Sequence, residues 1–571
     1  MVLEAPTGFG KSGVAVAVAR TLGTSYVCVS TKDLQTQYAR DFPFLKVAKG
    51  KNNFICTVKE DFIRNGAYNC VLCPTSTSTI RRNTMKLEQQ CNHTAADYGP
   101  CTNNALFKYN ARDDYRGCKY RTLLRDYKIK NKGTIEENVV IDGNALSNYQ
   151  EEFSQWRYLE TSELKEELKA WRPCEYYHQL NTALAASHSI FNYSMFLIYA
   201  ILAKCSRPPP RELLALDEAH RLEEEVVKLT GISIPRKRLR KYIPDFEITD
   251  YGYDDITKWI AFLTELEGKI SAKIGKLNDG LASEAETYRS NLEWAIERMT
   301  ANPGNWIISE IKRGYNNEID RVEIKPLDIS SYCNSLFTLC DKTLMMSATI
   351  LDTKTFCSSI GLLPDKVKFI PIPSYFPLEN RPIYPLNIEY LNYNTLNEDR
   401  VKQRIAAVVD KIMTWHKDHK GIIHTTSYKQ RDFIKENISQ DNRRRLLETD
   451  PDVERDEIIS EHINAVKPRV LISPSLHLGL DLKDDLSRFQ VIIKVPYPSL
   501  GDRWIDGKRK KNGQWYQWQT ALKLIQGYGR SIRSKEDWAA TYVLDSGFLN
   551  FVNRNRNILP TWFTSAIKWD M

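Results

Sequence analysis

Long apolar runs are missing from this chain. The most apolar stretch, residues 190–203, is about 14 residues long and carries Asn192, Tyr193 and Ser194, too short and too polar to span a bilayer. Glycine (26) and proline (24) are too sparse among 571 residues for a low-complexity or collagen-like chain. No secretory leader is recognisable at the start, which points to a reducing, cytoplasmic setting. A strong charge of either sign is absent too. The 80 Lys and Arg against 71 Asp and Glu leave +9, which permits an acidic partner without requiring one. Cysteine is scarce, with 12 residues, far below a disulfide scaffold. Its distribution is uneven: Cys56, Cys70, Cys73, Cys91, Cys101, Cys118 and Cys174 fall in one stretch of the first third.

What is present is ordinary globular composition, 42% hydrophobic and 26% charged, long enough for roughly three or four domains. Residues 1–50 read as α/β: a strand end at residues 2–4, a helix over 12–22 and a β-branched strand at 26–30. Residues 51–174 are polar, Cys-rich and weakly periodic. Residues 175–222 return to α/β, with a helix at 175–186 and a strand at 213–216. Residues 223–335 are expected to be mainly helical, because Ile256, Ile260, Leu263, Ile270, Ile274, Leu277 and Leu281 recur as an apolar stripe with charges on the other face, the pattern of a helical hairpin packing on itself. A buried strand is expected at 344–350. Five prolines between 371 and 385 read as a linker. A second α/β series starts at Asp399, with strands at 421–424, 470–473, 491–495 and 541–544.

Three motifs carry chemistry. Ala5-Pro6-Thr7-Gly8-Phe9-Gly10-Lys11-Ser12 fits a phosphate-binding loop, with Ala5 in place of the first Gly. Gly8 and Gly10 let backbone N–H groups turn inward around an anion. Lys11 would reach the β/γ-phosphates of ATP, and Ser12 would ligate Mg²⁺. Leu216-Asp217-Glu218-Ala219-His220 follows a strand, so Asp217 would hold Mg²⁺ and Glu218 would polarise the attacking water. Gln526-Gly527-Tyr528-Gly529-Arg530-Ser531-Ile532-Arg533 places Arg530 and Arg533 at i and i+3, a spacing that shares one helix face. Arginine stabilises charge on a transferring phosphoryl group. Together they describe an ATPase split between two lobes.

This set resembles the iron–sulfur superfamily 2 DNA helicases of the XPD/DinG type. The phosphate loop is similar to motif I. Thr31, Leu34 and Gln37 resemble motif Ia, which binds DNA backbone in that family. Leu216–His220 resembles motif II, the DEAH box. Met346-Ser347-Ala348-Thr349 resembles motif III, which couples the two sites, and residues 421–428 resemble motif IV. Gly479-Leu480-Asp481 resembles motif V and residues 526–533 motif VI; residues 494–504 are similar to the family's segment before motif VI. The resemblance implies an α/β fold with two RecA-like lobes. The first would comprise 1–50, 175–222 and 336–372, interrupted by a Cys-rich iron–sulfur insertion (51–174) and a helical arch (223–335). The second would be 373–571.

It also implies 5′→3′ translocation on single-stranded and forked DNA and unwinding by the iron–sulfur wedge, in repair or replication. The protein would be a nucleoid-associated monomer with no membrane contact. His220, Gly479 and Asp481 would join the nucleotide site, and Gln526 the catalytic set. Pro173-Cys174-Glu175-Tyr176-Tyr177 is similar to the family's final cluster ligand, so Cys56, Cys70, Cys73 and Cys174 would hold a 4Fe–4S cluster. A second arrangement stays open: Cys56, Cys101, Cys118 and Cys174 on the cluster, with Cys70, Cys73, Cys91 and His93 as a Zn²⁺ site. The family's upstream adenine-contacting segment has no counterpart before Met1, which keeps open a DNA-binding scaffold with weak ATPase. A DEAH-type RNA helicase is a further alternative.

Residues 496–535 hold nine Lys and Arg against two Asp, a local +7, interleaved with Trp504, Trp515, Tyr516 and Trp518. Cations for phosphates and rings for bases suit a single strand bound without regard to sequence. The competing reading is a solvated basic segment with core tryptophans.

Overall fold

The computed structural model describes residues 1–50, 53, 175–202, 208–277, 279–392, 394–448, 455–474, 482, 484–532 and 534–569, and four short strands between 127 and 159. All seven clustered cysteines, His93, Gly479, Asp481 and Arg533 lie outside the described residues.

Two parallel sheets organise the chain. The first has the order Phe369–Pro371, Val2–Glu4, Cys340–Ser347, Arg211–Asp217, Ser25–Val29, His188–Asn192, Lys46–Ala48, with every pair parallel. Parallel strands are covered on both faces and therefore read as continuous apolar runs. All five residues of Ser25–Val29 are buried. The second sheet runs Ile383–Glu389, Ala540–Asp545, Phe489–Ile492, Gly421–His424, Val470–Ser473, Leu446–Glu448, again parallel throughout. The architecture is a two-lobe α/β fold.

The proline-rich stretch is not a free linker. Pro371 ends one outermost strand, and Pro385 sits in another, opposite Val543. Edge strands tolerate proline because one side of the ladder needs no N–H donor.

The region between the second and third motifs is mainly helical, as expected, but it also carries strands that the sequence reading did not foresee. It contains an antiparallel sheet ordered Ile232–Pro235, Ile319–Pro326, Trp306–Arg313. The expected helical hairpin is present. Ile256–Ile274 is capped by the Asp255 carboxylate, which accepts from the Lys258 N–H at 3.1 Å. It ends at Gly275, and Asp279–Ala301 packs back against it. Leu277 therefore lies in the turn and Leu281 on the second helix. Trp259, Phe262, Leu263, Leu266, Ile270 and Ile274 make the buried face.

An arm of the second lobe is clamped onto the first. The helix Arg503–Lys511 brings Lys508 Nζ to Glu223 Oε1 at 2.5 Å, and Trp515 on the next helix, Gly513–Tyr528, donates its indole N–H to Glu223 Oε2 at 2.7 Å. All three residues are under 10% exposed. A buried ion pair gives little net stability over an apolar pair, but losing one partner strands the other charge. Lys508→Ala should therefore destabilise the protein by about 3 kcal/mol, and the double variant Glu223→Gln/Lys508→Met should recover most of that loss. Denaturant melts of the wild type and the two variants check this. Equal losses in single and double variants would contradict it.

Candidate functional site

A cleft of about 420 Å³ separates the lobes. One wall is made by residues that follow five neighbouring strands of the first sheet, in sheet order. Ser374 and Phe376 follow Phe369–Pro371. Pro6 and Thr7 follow Val2–Glu4, and Ala348 and Thr349 follow Cys340–Ser347. Glu218, His220 and Arg221 follow Arg211–Asp217, and Thr31, Leu34 and Gln37 follow Ser25–Val29. The second-lobe wall includes Arg381, Gln526, Tyr528, Arg530 and Trp562. The carboxyl ends of parallel strands are where open α/β sheets bind ligands.

The loop after the first strand turns through Gly8 (φ 82°) and Gly10 (φ 89°), left-handed conformations that glycine adopts without strain. The helix Lys11–Leu22 then begins. Ala5 is fully buried, its N–H bonded to Ser347 O at 3.0 Å. Its φ is not positive, so nothing at this position requires glycine. Lys11 Nζ donates to Ala5 O (3.1 Å) and Pro6 O (3.3 Å), across its own loop.

Asp217 ends its strand 3% exposed. Oδ2 accepts the Tyr38 hydroxyl at 2.8 Å, and Oδ1 accepts the Glu218 N–H at 2.9 Å. Burial pushes its pKa up to about 6, helped by the charge of Glu218 and opposed by the Tyr38 hydrogen bond and Lys11. Ser12 reaches the same tyrosine hydroxyl. Tyr38 thus ties both expected Mg²⁺ ligands together. Sequence reasoning passed over it, since a tyrosine mid-helix reads as packing. The one available signal was its place one residue after Gln37.

Glu218 adopts φ 53°, uncommon for a residue with a side chain and frequent at functional sites. His220 Nδ1 lies 2.8 Å from Ser347 Oγ and 3.3 Å from Glu218 Oε2. Burial, then Arg221 and Arg530, hold this imidazole neutral, its pKa pushed down to about 3. Ser347 Oγ donates to Thr349 O (3.1 Å), and Gln526 Nε2 donates to Thr349 Oγ1 (3.3 Å). A relay Glu218–His220–Ser347–Thr349–Gln526 therefore crosses from one lobe to the other, with Arg530 on the same wall. Thr31, Leu34 and Gln37 face this cleft as well.

The basic, aromatic segment does not form a stacking surface. Trp515, Tyr516 and Trp518 are buried. Trp518 donates its indole N–H to Ile350 O, Trp504 to Pro326 O, and Tyr516 its hydroxyl to Pro498 O. Apolar rings with one polar atom fill a core when that atom finds a partner, and each does here. The cations are compensated too. Arg503 pairs with Asp254, Lys508 with Glu223, Arg509 and Lys510 with Asp506, and Lys511 with Asp328.

Residues 410–566 match the family model described as a helicase C-terminal domain. The solved structure of an XPD helicase superposes with TM-score 0.56 and 16% identity, covering 97% of this chain and 94% of that one. Xpd4 of S. tokodaii superposes with TM-score 0.50 and 12% identity, covering 99% and 95%. The second lobe thus matches the helicase C-terminal family in sequence, and the overall fold matches that of the XPD structures. The Fanconi anemia group J protein homolog of Gallus gallus is 31% identical over 102 residues, 16% of this chain and 8% of that protein. The ATP-dependent DNA helicase CHL1 of Scheffersomyces stipitis is 24% identical over 248 residues, 38% of this chain and 28% of that protein. The matches thus span under a third of either relative. Among the described residues, no helix is long and apolar enough to cross a membrane.

In a cleft of this geometry, Tyr38→Phe removes a hydrogen bond that orients the buried Asp217 carboxylate and favours its ionised form. Groups one step behind a metal ligand typically change metal affinity by about 10–100-fold. The half-saturating Mg²⁺ concentration for nucleotide hydrolysis should rise about tenfold in Tyr38→Phe. A Mg²⁺ titration at fixed nucleotide checks it, and an unchanged midpoint would contradict it.

Proposed function

We propose that this chain is an ATP- and Mg²⁺-dependent DNA helicase. The observation that carries the reading is the chain of side-chain contacts from Glu218 through His220, Ser347 and Thr349 to Gln526. It joins the residue placed to activate water to the lobe that supplies the arginines. The left-handed glycines and Lys11 hold the phosphates of ATP. Ser12 and Asp217 fit a Mg²⁺ ion, which when bound neutralises the β- and γ-oxygens. Glu218 takes the proton of the attacking water, and Arg530 and Arg533 stabilise the charge that develops on the transferred phosphoryl group. Gln526 reports through Thr349 and Ser347 to His220, so closure of the lobes and alignment of Glu218 are one event. Each cycle of closure and opening advances the lobes along one strand.

The finer points follow from the family resemblance. Movement is 5′→3′, and the substrate is single-stranded or forked DNA in repair or replication. Cys56, Cys70, Cys73 and Cys174 carry a 4Fe–4S cluster in the wedge, and the two-helix body with its three-stranded sheet is the arch. Gly479 and Asp481 complete the nucleotide site.

The test is DNA-stimulated ATP hydrolysis and unwinding of a forked duplex by the full chain. Lys11→Ala and Glu218→Gln should each lower the stimulated rate by about 10²–10³-fold and abolish unwinding. A wild type that binds DNA but hydrolyses ATP no faster than these variants would instead be a scaffold. Faster unwinding of RNA than of DNA duplexes would make it an RNA helicase.

A further inference from the structure

The relay and the phosphate loop occupy only the middle of the cleft. At one end the second lobe offers a set of residues that no step above uses. Arg381 is 3% exposed, yet among the described residues it has no carboxylate partner. Two of its N–H groups go to neutral oxygens, Ser374 Oγ at 3.0 Å and Phe376 O at 2.8 Å. Its Nε meets no acceptor. Burial holds the guanidinium below its ordinary pKa, and Tyr528 is the only group countering that. A buried charge without a counter-ion is costly and is retained where something else comes to meet it.

The surroundings of Arg381 are aromatic. Its Cζ lies 5.1 Å from the ring centre of Trp562 and 6.0 Å from that of Phe376. Trp562 stacks on Tyr528 with centroids 6.1 Å apart and planes 19° apart, and the Tyr528 hydroxyl donates to Arg381 O at 2.8 Å. Trp562 is only half-buried and lines the cleft with Arg381, Phe376 and Tyr528. The result is a short pile of flat groups, one of them cationic, with an open side.

Sheet order says which part of a nucleotide reaches that pile. The strand behind Glu218 and the strand before Phe376 are three places apart, with those of Thr349 and the phosphate loop between them. At about 4.8 Å per strand this is roughly 14 Å, comparable to an extended nucleoside triphosphate. Glu218 fixes the γ-phosphoryl end at the inner position, because it must address the attacking water. The chain of phosphates then crosses the loop at Pro6 and Thr7, and the nucleoside leaves toward Phe376. A flat, electron-rich base stacks on aromatic rings and on guanidinium.

We propose that Arg381, Trp562 and Phe376 form a second-lobe site for the nucleoside end of ATP, with the base stacked in the open side of the pile. This rests on the ATP reading given above and extends it: the nucleotide bridges the lobes at its base as well as at its γ-phosphate.

The test uses the full chain with Mg²⁺ and compares calorimetric binding of ATP with that of inorganic tripolyphosphate, which has no nucleoside. The wild type should bind ATP more tightly than tripolyphosphate, and Lys11→Ala should lose both. Trp562→Ala should weaken ATP by about tenfold, the range of one lost base–aromatic stack, and bring it close to tripolyphosphate. Trp562→Phe, which keeps a ring, should restore most of the preference and also control for folding. Unchanged ATP binding by Trp562→Ala would overturn the proposal, and so would equal weakening of both ligands. A wild type that binds neither would remove the ATP reading itself, and this site with it.

Discussion

The hydroxyl of Ser347 is the contact on which the cleft depends. It accepts the Thr349 N–H at 3.0 Å, lies 3.1 Å from Thr349 O and is hydrogen-bonded to His220 Nδ1 at 2.8 Å. Ser347 is fully buried, so water does not substitute for any of these partners. One hydroxyl thus sets the orientation of the histidine beside Glu218 and the path of the turn that meets Gln526. Buried polar networks of this kind are specific only when every member is satisfied.

A second constraint holds the lobes in register with the first. Glu223 lies five residues after Glu218 on the helix Leu222–Thr230, and both its oxygens are used by the second lobe, through Lys508 and Trp515. The chain segment that begins at Glu218 therefore ends at an anchor for the opposite lobe. Trp518 repeats the pattern beside the third motif, through Ile350 O at 2.7 Å. Motion between the lobes must be accommodated around these contacts, by shifts of packed helices rather than by free separation.

The chemistry-bearing strings were legible in the sequence because each is local. Residues 5–12, 216–220 and 346–349 each follow a strand whose apolar run is plain, and the strand's carboxyl end fixes where the string points. Parallel pairing then brings the ends together without further information. The antiparallel sheet at 232–326 was not legible, because its strands alternate with charged residues and read as surface helix. The helical hairpin was legible in the stripe from Ile256 to Leu281, but the place of its turn after Ile274 was not, because a short turn keeps the same apolar spacing on both arms. Trp515 and Trp518 were ambiguous because a ring among lysines suits both a core and a nucleic acid. Only burial and the indole acceptors decide between them. Tyr38, Arg381 and Trp562 gain meaning solely from neighbours distant in sequence.

The central claim is that Ser347 and Gln526 act as one unit across the cleft. A double-mutant cycle on DNA-stimulated ATP hydrolysis tests it most directly, with Ser347→Ala, Gln526→Ala and the pair. Residues in one hydrogen-bond network couple by about 0.5–3 kcal/mol, whereas independent sites add. The account predicts a double variant little slower than the slower single variant. Losses that simply add in free energy would show two independent residues and contradict it.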